Sequence, residues 1–178
     1  MGFFSGLFGQ ARDRDALAPL YAAVVARARE PHWYVEGDVA DSLDGRFDMV
    51  AAILSLTLLR LEAEPAGIPP SALLTELFVH DMDGQLRESG VGDIVVGKKI
   101  GNMMGVLGGR LGAYRTGLRE GGDLPAALVR NLYRGAAPAD AALTHVAERL
   151  RAFDAALTAT PLDVVLDGGL PAGGLSGA

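Results

Sequence analysis

The sequence predicts an all-α protein, a single helical-bundle domain of about six helices. Apolar residues recur at three- and four-residue spacing along most of the chain. Strand-like alternation of useful length is absent. Gly, Pro and Asp or Ser punctuate the apolar stretches at intervals that leave only short connections. The 178 residues, 49% of them hydrophobic, suffice for one domain with a substantial core and argue against disorder over the whole length. The boundaries read as a flexible apolar N-terminus at 1–10, a helical domain at 11–160 and a flexible Gly- and Pro-rich tail at 161–178.

The first helix is expected over 11–30. Leu17, Leu20, Tyr21, Val24 and Val25 form its stripe, and Pro19 is set to kink it. Trp33 and Tyr34 fall in a loop or short extended piece. Asp41 or Ser42 caps a second helix that runs to about Glu62. That helix is apolar almost all round, which places it at the centre. Pro65 to Pro70 breaks the chain, and a third helix follows over 71–89. Gly90 is a left-handed stop with Val91 behind it, and Asp93 caps a fourth helix over 94–119. Asp123 and Pro125 start a fifth, which ends near Gly135. Pro138 starts a sixth, and Pro161 stops it.

Two of these helices break the usual pattern. On the third, Asp81, Gln85 and Glu88 share the core-facing side with Leu74, Leu77 and Phe78. A buried carboxylate needs a partner. Asp81 is therefore read as a structural acid paired inside the fold, with Arg46, Arg60 or Arg110 as the candidates. On the fourth, Gly97, Gly101, Gly105 and Gly109 recur every four residues, with Gly108 and Gly112 beside them. Each helical glycine costs about 1 kcal/mol against alanine. Close approach of another backbone is the usual compensation.

Acids exceed bases, 22 to 16, for a formal net charge of −6. That argues against DNA binding and against general nucleic-acid binding. Cysteine is absent, so disulfides, thiolate metal sites and Cys nucleophiles are excluded. No apolar run reaches the length needed to span a bilayer. Phe3, Phe4, Leu7 and Phe8 offer at most a weak peripheral membrane contact, because no basic cluster adjoins them. Phosphate-loop, dinucleotide and nucleophile-elbow motifs are absent. No cofactor and no metal is expected. Glu76, His80, Asp81 and Asp83 form the one weak oxygen/nitrogen set, and they keep open an alternative as a metal-binding protein or enzyme. None of the three histidines, His32, His80 and His145, pairs with another at helical spacing.

Several segments together resemble a known family. They are Trp33-Tyr34, Asp44-Gly45-Arg46-Phe47-Asp48, Leu59-Arg60-Leu61, Asp81-Met82-Asp83, Leu86-Arg87-Glu88 followed by Gly90-Val91-Gly92-Asp93, Val96-Gly97-Lys98-Lys99 and Gly109-Arg110. They occur in the order seen in the ubiquinol–cytochrome c chaperone family, over 33–118. The chain looks like a bacterial member, since no Arg- and Ser-rich presequence precedes the domain. The resemblance implies an assembly factor for respiratory complex III and not an enzyme. It implies newly made cytochrome b, or another apolar membrane protein, as client. Further implied partners are a small partner chaperone and the ribosome. The implied location is the cytoplasm, including a peripheral position on the cytoplasmic face of the inner membrane.

The candidate contact residues are Trp33, Tyr34, Arg46, Asp83, Arg87, Glu88, Asp93, Lys98, Lys99, Met103 and Met104. Asp81, Gly90, Gly97, Gly101, Gly105 and Gly109 are read as structural. A chaperone of this kind needs an accessible apolar face rimmed by polar groups. The rival reading is a structural or interaction protein with another membrane-protein client. In it the glycines are buried against the second helix and the charged run closes the bundle.

Overall fold

The computed structural model describes residues 3–88 and 93–172, with side chains for 15–85, 101 and 104–172. The described residues form helices and no strand. In order they are α1 (Phe3–Ala28), α2 (His32–Val35), α3 (Leu43–Glu62), a 3-10 turn (Pro65–Gly67), α4 (Ile68–Glu88), α5 (Asp93–Leu118), α6 (Leu124–Asn131), α7 (Asp140–Ala159) and α8 (Leu162–Leu166).

α3 sits at the centre, as its all-round apolar character predicts. It packs on α1, α4, α5 and α7. Met49, Ile53, Leu54, Leu56 and Leu61 are fully buried on different sides of it. Its two interior hydroxyls bond within their own helix: Ser55 donates to the Ala51 carbonyl at 2.6 Å and Thr57 to the Ile53 carbonyl at 3.0 Å. Ser42 caps the helix by accepting from the Gly45 amide at 3.1 Å. Asp123 does the same for α6, accepting from Ala126 at 2.9 Å.

Several boundaries differ from expectation, each for a local reason. α1 begins at Phe3, ahead of the expected 11. α4 begins at Ile68 and not at 71, because Pro69 and Pro70 lie in its first turn, where no backbone donor is needed. Trp33 and Tyr34 form the helical turn α2 rather than an extended piece. The turn is fixed by its contacts: the Trp33 indole donates to the Arg27 carbonyl at 2.8 Å, and the Tyr34 hydroxyl to the Ala28 carbonyl at 2.8 Å. Gly90 lies outside the described residues.

The segment expected as a tail from 161 instead turns back onto the domain through 172. Val165 of α8 is fully buried. Gly168, at φ +88°, lies so close to Pro19 that a Cβ would stand 3.0 Å from its carbonyl carbon. The Arg27 guanidinium donates to the Pro171 carbonyl at 2.7 Å. Residues 173–178 are outside the description.

An arginine closes the end of α7. Arg60 reaches the last turn of α7, donating to the carbonyls of Leu157 and Thr160 at 2.9 Å each, with Glu64 on its third nitrogen at 2.8 Å. A cation at a helix C-terminus satisfies its orphan carbonyls and its negative dipole end together.

Candidate functional site

α5 has a sealed side and an open side. On the sealed side, Leu107, Arg110 and Tyr114 are buried against the core. Arg110 meets Asp48 of α3, which has no exposed surface. The other oxygen of Asp48 accepts from Arg134 Nε at 2.6 Å, and Arg134 Nη1 also reaches Asp44 at 2.7 Å. The Arg110 guanidinium lies over the Phe47 ring, 5.4 Å from its centroid. Two cations thus neutralise one buried carboxylate, as burial of a charge demands. Burial also pushes the Tyr114 phenol well above its usual range.

On the open side, a Cβ added at Gly101, Gly105, Gly108, Gly109 or Gly112 would meet nothing within 4 Å. The rival expectation, in which the glycines are buried against the central helix, therefore fails for these five. Met104 and Val106 project beside them, 40% and 47% exposed. Toward its C-terminal end α5 meets α6 across a groove of about 570 Å³. Gly109, Gly112, Ala113 and Ala127 line it with bare or short surfaces. The polar residues lining it largely turn to nearby backbone: Thr116 donates to the Gly112 carbonyl, Asn131 to the Ala127 carbonyl, and Asp123 caps α6. The groove closes at Gly117, where a Cβ would stand 2.9 Å from Leu124 Cα.

The other expected contact residues scatter. Trp33 is 1% exposed and belongs to the core, so its reading as a contact residue is corrected. Tyr34 is half-buried and lines a second groove, of about 480 Å³, with Arg29, Val35, Asp41 and Arg46. Arg46 is exposed and pairs with Asp41 at 2.7 Å, which holds that carboxyl below its ordinary range. Asp81 is satisfied internally, as a structural acid should be, but by a different partner. It accepts from the Tyr21 hydroxyl at 2.7 Å, while Arg46, Arg60 and Arg110 are engaged elsewhere. Burial, and next that bond, push the Tyr21 phenol up.

Asp83 is half-buried. Glu76, His80, Asp81 and Asp83 share α4, yet no group of three or more metal-ligating side chains forms among the described residues. For Arg87, Glu88, Asp93, Gly97, Lys98, Lys99 and Met103 the helical backbone alone is described, so their expected roles fall outside the described side chains. No helix among the described residues is long and apolar enough to cross a membrane.

Sequence reasoning missed two constellations. Asp48 and Arg134 lie 86 residues apart, so their pairing has no local signal. His32 Nδ1 and His145 Nε2 lie 3.1 Å apart although 113 residues separate them in the chain. Glu30 sits 3.0 Å from the other nitrogen of His32.

Comparison with known proteins adds the following. The family model for the ubiquinol–cytochrome C chaperone matches residues 36–172, which reaches well past the segment 33–118 that carried the resemblance. A crystal structure of the Cbp3 homolog from Brucella abortus superimposes with a TM-score of 0.77 at 26% identity. The likeness covers 94% of this chain and 95% of that one. Comparison with curated protein sequences gives no match.

Proposed function

Since the chain belongs to the ubiquinol–cytochrome c chaperone family, we propose that it is a non-enzymatic assembly factor for that reductase, respiratory complex III, and holds newly made cytochrome b during its assembly. The family match over 36–172 carries this reading. The open side of α5 supports a place for the contact. Five glycines there each cost about 1 kcal/mol relative to alanine, and among the described residues nothing lies within 4 Å of where their Cβ would stand. A partner that approaches the bare backbone would return it, since small residues let two helices pack closely.

Met104 suits such a partner for a further reason. Its unbranched, polarizable side chain adapts to apolar surfaces of different shape. Cytochrome b, as an apolar membrane protein, offers helices that need cover before they reach their place. No step here requires a nucleotide, so holding is passive and release follows from competition with the assembled complex. A small partner chaperone and the ribosome belong to the same reading as further partners, with work at the cytoplasmic face of the inner membrane.

The test is site-specific photo-crosslinking in membranes that are synthesising cytochrome b. A photoreactive residue at Val106 should capture cytochrome b. The same probe at Glu148, exposed on α7, should capture it several-fold less. Equal capture from the two helices would remove α5 as the contact. Capture of other membrane proteins, with no cytochrome b, would favour a different client.

A further inference from the structure

The side-chain chain Arg27–Glu30–His32–His145 has no part in the reading above. It links four places: the end of α1, the corner before α2, α2 itself and the second turn of α7. Arg27 Nη1 donates to Glu30 Oε1 at 2.8 Å, and its other terminal nitrogen holds the Pro171 carbonyl. The second Glu30 oxygen lies 3.0 Å from His32 Nε2. His32 Nδ1 lies 3.1 Å from His145 Nε2, with the ring centroids 5.3 Å apart and nearly edge-on.

That geometry dictates the protons. A carboxylate only accepts, so His32 Nε2 carries hydrogen and donates to Glu30. His32 Nδ1 then presents a lone pair, and His145 Nε2–H must donate into it. These tautomers hold while both rings are uncharged. One extra proton, on His145 Nδ1, leaves every bond in place. A second, on His32 Nδ1, sets N–H against N–H across 3.1 Å and brings two like charges together. The junction must then part.

The geometry points to an acid-sensitive latch: the paired imidazoles hold α2 down on α7 while they share their protons, and release it when both rings are charged. The charged groups that face the pair come from each neighbouring element. Arg27 and Glu30 approach from the end of α1 and its corner, Glu36 from the end of α2, and Glu148 and Arg149 from α7. Burial first, then His32 and Arg149, hold the His145 imidazole below its ordinary value, and the acids Glu36 and Glu148 only partly oppose them. A depressed histidine means that the opened form binds more protons than the closed one. The latch is therefore fully effective above the ordinary histidine value of about 6.5 and is lost as pH falls below it.

Opening has a defined lever. α2 is one helical turn, followed by Gly37 and then Asp38 at φ +51°. It carries Trp33 into the core and Tyr34 and Val35 into the wall of the 480 Å³ groove with Arg29 and Arg46. Val35, 76% exposed, stands open to solvent on that side. Release of α2 would uncover Trp33 and redraw that wall, so one surface would have an acid form and a neutral form.

Trp33 is the chain's single tryptophan and reports the event directly. Its ring lies against His32, 4.1 Å between centroids, and its indole N–H is held by the Arg27 carbonyl. Indole hydrogen exchange should be followed by NMR on the full chain between about pH 7.5 and 5.5. Protection, corrected for the intrinsic exchange rate, should fall several-fold in wild type across that range. In His145→Gln it should stay flat, because the amide cannot be charged and can turn from donating to His32 to accepting from it once that ring gains a proton. Flat protection in wild type, or the same fall in His145→Gln, would overturn the latch. Ring nitrogen shifts of wild type decide the matter should the variant not fold. His145 must titrate below the ordinary value, and titration at or above it overturns the proposal.

Discussion

The two sides of α5 use glycine and charge in opposite ways. On the sealed side, Arg110 and Tyr114 are packed, and in the last turn Gly117 leaves no room for a side chain. On the open side, Gly105 and Gly109 have nothing near them. The same residue type is thus required in one place by the fold and unexplained by it in another. The spacing of glycines along a helix does not separate these cases; the free space beside each Cα does. The sealed side accounts for the stability of the bundle, and the open side is where the chain forgoes stability that it has room to gain.

The largest effect should come from the sealed side. Asp48→Ala would leave Arg110 buried without its acceptor, and truncating one member of a buried pair costs about 3–5 kcal/mol. Arg134, half-exposed, can turn to water and should contribute little to that loss. Urea unfolding measures it directly. A loss under about 1 kcal/mol would mean that the ionic cluster does not hold α5 to α3. The comparison would then rest on packing alone.

Gly117→Ala comes next. Its Cβ would press on the Leu124 backbone at 2.9 Å, and backbone cannot swing aside as a flexible side chain can. Overpacking of this kind costs about 1–3 kcal/mol, against a gain of roughly 1 kcal/mol in helix propensity. The net should be a loss, read as a lower denaturation midpoint. A gain would show that the α5–α6 hairpin has slack, and would bring Gly117 into line with the open glycines.

Much of this fold is legible in the sequence, because helices and caps are local. Ser42 and Asp123 are recognisable caps, and the all-round apolar run of α3 places it at the centre before any coordinate is known. Asp81 is recognisable as an acid that needs an internal partner. The identity of that partner is not legible, since Tyr21 lies 60 residues away and bears no charge. The Asp48–Arg110–Arg134 cluster and the His32–His145 pair are hidden for the same reason. Each joins helices whose mutual placement depends on every helix between them. Arg46, the charge that draws notice in Asp44-Gly45-Arg46-Phe47-Asp48, is the exposed one, while Asp48 two positions on is the buried one. Both lie close to the strongly apolar face of α3, so their spacing alone does not settle which of them turns inward.

The smallest stability effect is the most informative. Gly105→Ala and Gly109→Ala add methyl groups where each Cβ meets open space, so no clash opposes the gain in backbone entropy. Each should stabilise by about 0.5–1 kcal/mol, visible as a rise in the melting midpoint. The same double variant should capture less cytochrome b from membranes, since the methyls hold a second helix away from the backbone. Stability and client capture must therefore move in opposite directions, which neither pure packing nor general loss of structure produces. Were both to rise, the open side would be free surface and the contact would lie elsewhere. Were stability to fall, the side would not be open, and the contrast between the two sides of α5 would disappear with it.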